Sequence, residues 1–213
     1  MDSRLGRREA PDRRDRLFTL ATPAAITRTY RYWYGGAWRG DQGWTSQCVA
    51  YAWSHFYTGS PITHTAPPIP PESLYERAQD VDEWAGTDYD GTSVRAGAKI
   101  MVAEGVIPAY GWAWDAATVA AHVLTKGPMV VGINWYEAMF DPDEDGWIDV
   151  EGEVAGGHAL LVDGVNTNLS KVRMLNSWGR DWGRDGRCWI SMPDFDRLLH
   201  ENGEACTALE APR

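Results

Sequence analysis

Apolar residues recur at helical spacing in the first half of the chain and at strand spacing in the second. Val49, Trp53 and Phe56 fall at i, i+4 and i+7, which predicts a helix directly after the turn residues Asp41-Gln42-Gly43 and Thr45-Ser46. Ser46, or Thr45 beside it, reads as its N-cap, because a side-chain oxygen there would satisfy otherwise orphan backbone N–H groups. Further helices are predicted over 71–78, 93–104 and 116–124. The second of these turns Val94, Ala98, Met101 and Val102 inward and stops at Gly105. After Gly127-Pro128 the pattern changes to strands, predicted at 129–135, 147–150, 158–166, 172–175 and 187–191. Thr22-Pro23, Gly35-Gly36 and the stiff run Pro67-Pro68-Ile69-Pro70-Pro71 punctuate the connections. Helices first and strands later describe an α+β protein with a helical lobe and a sheet lobe.

Composition adds bounds. With 213 residues, 44% of them hydrophobic, the chain can bury a core as one domain of two lobes. A net charge of −10 argues against nucleic acid as the main partner. No stretch approaches the roughly 18 apolar residues of a membrane span. Residues 1–16 hold six arginines and four acids with almost no apolar residue, and read as a solvated, disordered arm. No apolar signal-peptide core precedes Leu17, so a cytoplasmic or virion-associated location is expected. The sequence carries no signal for an oligomeric state.

Cys48 lies in the first turn of the first helix, where free N–H groups and the helix dipole favour a thiolate. A small buried residue at a helix start is the plain alternative. A thiolate nucleophile also needs a base, an orienter for that base and donors for an oxyanion. His158 opens an apolar run after Gly156-Gly157, Asn176 ends the strand at 172–175, and Gln42 precedes Cys48 by six residues.

These pieces, in this order, resemble the papain-like cysteine peptidases. The matching stretches are Gln42-Gly43 through Cys48, then Gly157-His158-Ala159, then the run Asn176-Ser177-Trp178-Gly179-Arg180-Asp181-Trp182-Gly183-Arg184-Asp185-Gly186. A weaker match is Asp90-Gly91-Thr92-Ser93-Val94-Arg95, where the family lines its cleft with a glycine-rich turn. The resemblance implies a helical lobe at roughly 42–125, a β lobe at roughly 126–213, and an active-site cleft between them, all within a catalytic domain spanning 17–213. It implies Cys48 as nucleophile, His158 as acid and base, Asn176 as its orienter and Gln42 as oxyanion donor. Asp90, Gly91, Thr92, Val94, Gly157, Trp178 and Trp182 would line the substrate site, with Trp178 shielding the His158–Asn176 bond. The implied partner is a peptide or protein, with no cofactor and no metal.

Several positions depart from that pattern. Val49 stands where a tryptophan usually follows the nucleophile, Thr45 where many members carry a cysteine, and Thr92 where the cleft turn has its second glycine. The separation from Cys48 to His158 is shorter than the roughly 130–150 residues of mature members. Cys206 resembles the family's C-terminal disulfide cysteine but lacks the usual partner; a Cys188–Cys206 pair would require neighbouring strands. The run 141–149 copies the start of a calcium loop, yet Gly152 occupies the twelfth position where glutamate belongs, so a plain acidic turn is expected. Other thiol acyl-transfer reactions (deamidation, amide cleavage, cross-linking) share the same four residues. A non-catalytic peptide-binding module would be marked by loss of Cys48, His158 or Gln42, all of which are present. The arm looks too short and too polar to fold as an inhibitor, so activity without maturation cleavage is expected.

Overall fold

The computed structural model describes residues 2–21, 25–34, 38–62 and 64–209; the Thr22-Pro23 and Gly35-Gly36 breakers lie outside them. In chain order the elements are β1 (Tyr30–Tyr32), α1 (Cys48–Thr58), α2 (Pro71–Gln79), α3 (Val94–Ala103), β2 (Ala109–Ala113) and α4 (Ala116–Thr125). There follow β3 (Met129–Tyr136), β4 (Val154–Asn166), β5 (Lys171–Leu175), β6 (Arg187–Ser191), α5 (Met192–His200) and β7 (Glu204–Leu209). The strands form one antiparallel sheet in the order β2-β7-β3-β4-β5-β6, with β1 also pairing β4.

Period-two alternation along the central strands creates two cores, one on each face of the sheet. Val131, Leu160, Val162, Met174 and Ala205 point to the face covered by α4 and α5. Val130, Ala159, Leu161, Leu175 and Cys206 point to the face covered by α1, α2 and α3. Each such aliphatic side chain contributes about 1.5–3 kcal/mol when fully buried. Helix α1 runs through the middle of the second core. Residues Cys48 to Phe56 are all buried, as expected of a helix that is apolar on every side. Trp53 donates its indole N–H to the Val94 carbonyl, 3.1 Å away, and fits because α3 carries Gly97. A Cβ at Gly97 would stand 2.5 Å from the Trp53 ring.

The division at residue 125 is not observed. β2 already belongs to the sheet, and α4 covers the sheet face opposite α1. The physical reason is that buried strands present two apolar faces, and α1 to α3 can cover only one. Residues 147–150 do not form a strand; Trp147 makes a single bridge to Trp189, while Ile148 and Val150 anchor the segment in the core. Cys188 on β6 and Cys206 on β7 are free, because β5, β4 and β3 lie between their strands. The acidic run at 141–149 makes a turn closed by Asp143, whose carboxylate accepts from the N–H groups of Asp145 and Trp147. No helix is long and apolar enough to cross a membrane among the described residues.

Candidate active site

Cys48 is the first residue of α1. Gln47 stands at the N-cap without a side-chain bond to the helix. The expected caps are engaged elsewhere: Thr45 donates its hydroxyl to the Gln42 carbonyl at 2.6 Å, and Ser46 donates to the Ser3 carbonyl at 3.0 Å. The helix therefore begins with free N–H groups around the sulfur. The backbones of Ala159, Gly6 and Val49 lie near the sulfur and favour its thiolate. Full burial outweighs them and pushes the thiol up to about 11. The lowered value expected from the helix terminus is absent in this closed state.

His158 lies on β4 opposite Ile133 of β3, and Asn176 follows directly on the end of β5. The register that sets Leu161 against Leu175 carries both residues to the same end of the sheet. His158 Nε2 and Asn176 Oδ1 are 2.7 Å apart. The same Oδ1 accepts the Ser177 N–H at 2.8 Å, which fixes the orientation of the amide. Nε2 must then carry the proton, leaving Nδ1 with its lone pair. Nδ1 is buried and has no hydrogen-bond partner among the described residues. Burial drives the imidazole down to about 4, against the opposing pull of Asn176.

Gln42 is tied to the same strand end. Its N–H donates to the Ser177 carbonyl at 2.8 Å, and its Oε1 accepts the Ser177 hydroxyl at 2.5 Å. Its Nε2 consequently faces the other way and donates to the carbonyls of Thr45 and Arg4, the latter at 3.1 Å. Aromatic rings close the site from behind. Trp178 lies 4.8 Å from the His158 ring and Trp135 lies 4.9 Å from it, edge-on. Phe140 stacks on Trp178, and Trp182 packs against both tryptophans. Excluding water in this way strengthens the His158–Asn176 bond.

The arm departs most from expectation. Residues 2–16 are not a free arm: they pack against the body with Leu5, Gly6, Arg7, Ala10 and Asp15 buried, while Ser3, Glu9, Pro11, Arg13, Arg14 and Arg16 stay exposed. Arg7 N–H donates to the Gly157 carbonyl at 3.0 Å, and Arg8 N–H donates to Thr92 at 2.9 Å. Thr92 N–H returns a bond to the Gly6 carbonyl at 2.9 Å, making a parallel bridge. The arm thus adds a short strand to the cleft edge. Glycine makes the approach possible. A Cβ at Gly6 would lie 2.0 Å from the Ser46 oxygen, and one at Gly157 would lie 2.2 Å from the Arg7 oxygen. The charges that suggested disorder are paired instead. Arg7 meets Glu204, and Arg95 of α3 holds Asp15 and donates to the Ala10 carbonyl at 2.6 Å.

Of the expected lining residues, Gly91, Thr92, Val94 and Gly157 border the arm directly or through Arg7, and Trp178 faces Arg4. Trp182 is one layer back, donating to the Phe140 carbonyl at 2.9 Å. Asp90 is exposed. Sequence reasoning missed Glu204, Trp44, Phe140 and Gly132, all of which touch or flank the arm's side chains. Gly6 of the arm and Gly91, Gly132 and Gly157 of the cleft were the available signal.

The helical layer, the antiparallel sheet and the cleft containing Cys48 and His158 together make a papain-like α+β fold. The solved structure of xylellain, a cysteine protease from Xylella fastidiosa, superposes with a TM-score of 0.77 at 18% identity, covering 98% of this chain and 97% of that one. Digestive procathepsin L 3 of Tenebrio molitor larval midgut gives a TM-score of 0.67 at 13% identity, covering 98% and 76%. In sequence the chain is similar to the cathepsin B-like cysteine proteinase 6 of Caenorhabditis elegans, at 31% identity over 80 residues. That match covers 37% of this chain and 21% of the relative. A gut-specific cysteine proteinase of the same species is 29% identical over 82 residues, 38% of this chain and 25% of that protein. The chain spans about a fifth to a quarter of the length of the curated relatives it matches. No family model matches it.

Proposed function

We propose that this chain is a cysteine peptidase that hydrolyses peptide bonds through a Cys48 thioester. One observation carries the reading. His158 is held by Asn176 through Nε2, leaving the Nδ1 lone pair free, and the next residue, Ala159, packs in the same core as Cys48. In the proposed reaction the thiol proton passes to His158 and the sulfur attacks a peptide carbonyl. The developing oxyanion is met by the Gln42 side-chain N–H and the Cys48 backbone N–H. His158 then protonates the leaving amine, and water hydrolyses the thioester. The match to named cysteine proteinases favours peptide hydrolysis over other thiol acyl transfers.

The arm is read as a built-in inhibitor. Its Gly6 backbone runs against Ser46, two residues before Cys48, and its Arg4 carbonyl occupies the Gln42 amide. Burial also keeps thiol and imidazole neutral, the unreactive pair. A cytoplasmic or virion-associated location remains part of this reading, supported by the free thiols of Cys48, Cys188 and Cys206.

The test is hydrolysis of a peptide library by the Gly6→Ala chain, whose arm cannot keep its path, and by the same chain carrying Cys48→Ala, read by mass spectrometry. Loss of a nucleophile of this kind lowers kcat on the order of 10⁶-fold. Equal cleavage by the two proteins contradicts the proposal.

A further inference from the structure

A buried histidine outside the reactive centre makes a polar contact that packing alone does not require. His55 lies on α1, seven residues after Cys48, so the two project from nearly the same face of the helix. Tyr51 lies between them on that face, and all three side chains are buried. His55 Nε2 accepts the Gly40 N–H at 3.2 Å. A ring nitrogen that accepts cannot carry the proton of a neutral imidazole, so Nδ1 holds it. Nδ1 is buried without a hydrogen-bond partner among the described residues. An unsatisfied buried donor lowers stability, and an apolar ring would fill the same space without one. What the imidazole adds over such a ring is a single acceptor, and Gly40 takes it.

Gly40 leads directly to Gln42, whose side chain supplies an oxyanion donor in the proposed reaction. Residues 38–42 are held on two sides. Against α1, a Cβ at Gly40 would stand 2.5 Å from the Tyr51 ring and 2.6 Å from Trp38, so the backbone lies flush on the helix. Trp38 covers this contact, its ring 4.8 Å from His55 and 6.1 Å from Tyr51. Against the sheet, the Gln42 N–H donates to the Ser177 carbonyl at 2.8 Å, and Arg39 Nη2 lies 3.3 Å from Asp185 Oδ2. Arg187 Nη1 meets the same oxygen at 3.2 Å. Both guanidinium groups also act on His55. Burial first, and then the charges of Arg39 and Arg187, drive the imidazole down to about 3. At any pH well above that value the ring is neutral, and Nε2 keeps the lone pair that Gly40 needs.

We propose that His55 is a positioning residue for Gln42: through Gly40 it fixes the oxyanion donor to the same helix that carries Cys48. Nucleophile and donor are then spaced by one rigid element. The spacing matters because a misplacement of about 1 Å can cost on the order of 10²-fold in rate. His55 itself touches no substrate. The proposal rests on the peptidase reading and deepens it.

The experiment compares three substitutions at this position. His55→Phe keeps a ring against Trp38 but offers no acceptor, His55→Asn is too short to reach Gly40, and His55→Gln presents an oxygen at the right reach. Each is made in the Gly6→Ala chain, where the arm cannot keep its path, and rates are normalised to folded protein. His55→Phe and His55→Asn should lower kcat on a small peptide amide about tenfold with KM within about twofold, part of the 10²–10³ expected from losing the donor outright. His55→Gln should recover to within about threefold, since its amide oxygen can accept the Gly40 N–H. Gln42→Ala should cost about tenfold less in the His55→Phe chain than alone, because the donor is already displaced. Losses that multiply, or kcat unchanged while folded protein falls, mark a merely structural histidine and overturn the proposal. Hydrogen exchange at the Gly40 amide reads the contact without turnover. The amide should exchange about tenfold or more faster in His55→Phe and His55→Asn than in the parent or His55→Gln. If no peptide amide is cleaved yet this exchange pattern holds, the positioning contact stands and the peptidase reading falls. Equal exchange in all four proteins removes the contact.

Discussion

Gly157 and His158 are neighbours on β4, yet they belong to two kinds of structure. Around His158 the contacts are ring edges and single directed hydrogen bonds, sealed from water by Trp135, Phe140, Trp178 and Trp182. Around Gly157 they are main-chain bonds to Arg7, close glycine contacts and ion pairs that reach the edge of the protein. Water or another peptide can replace the second set group for group. Nothing outside the chain can replace the first. The molecule combines a fixed reactive centre with an exchangeable occupant, and the boundary between them runs between two adjacent residues.

The comparison breaks first at the fixed side. Trp135 is fully buried and touches the rings of His158, Phe140, Trp178 and Trp182. Trp135→Ala should lower unfolding free energy by about 3–5 kcal/mol, measured by denaturant titration, and should loosen His158. A loss under 1 kcal/mol would mean the aromatic wall is not what fixes the site. Gln42→Ala comes next: removing one oxyanion donor should lower kcat by about 10²–10³. A variant that lowers substrate affinity alone would place Gln42 among the binding groups instead.

The exchangeable side predicts a pH signature. In the closed chain the Cys48 thiol stands at about 11 and His158 at about 4, both displaced chiefly by burial. A raised thiol pKa means the thiolate appears only as pH climbs toward that value. Alkylation of Cys48 by iodoacetamide should therefore be slow at pH 7 and rise steadily toward pH 10. With the arm displaced, solvent returns, and the rate should reach its plateau at lower pH. An identical pH profile in closed and opened protein would show that the arm does not set the ionisation.

Much of this was legible in the sequence, for reasons particular residues explain. Cys48, His158, Asn176 and Gln42 stand in short, ordered motifs, and hydrogen bonds through Asn176 and Ser177 join His158 and Gln42 at one end of the sheet. β3 announces itself through a mostly apolar run, while β5 and β6 are shorter apolar stretches, the first interrupted by Arg173 and the second bounded by Arg187 and Ser191. β7 does not, since Glu204-Ala205-Cys206-Thr207-Ala208-Leu209 is made mostly of small residues and owes its strand state to β2 and β3 on either side. α5 carries a readable start in Ser191 and Pro193, and Ser191 indeed accepts the Asp194 N–H. Its amphipathic run is short and escaped notice. The arm was misread because its partners are nonlocal: Arg7 finds Glu204 at the far end of the chain, and Asp15 finds Arg95 on α3. Composition reports charge; it does not report pairing.

The central claim is that a competent thiol site is held closed by residues 2–16, and Gly6→Ala tests it most directly. The added methyl would meet the Ser46 carbonyl oxygen at 2.0 Å, so the arm cannot keep its path, while every group of the reactive centre is untouched. The measurement is kcat/KM on a small peptide amide, with circular dichroism to verify the fold. The account predicts a rise of about tenfold or more over the unmodified chain, equivalent to about 1.4 kcal/mol of arm binding. An unchanged kcat/KM in a folded Gly6→Ala protein would contradict it.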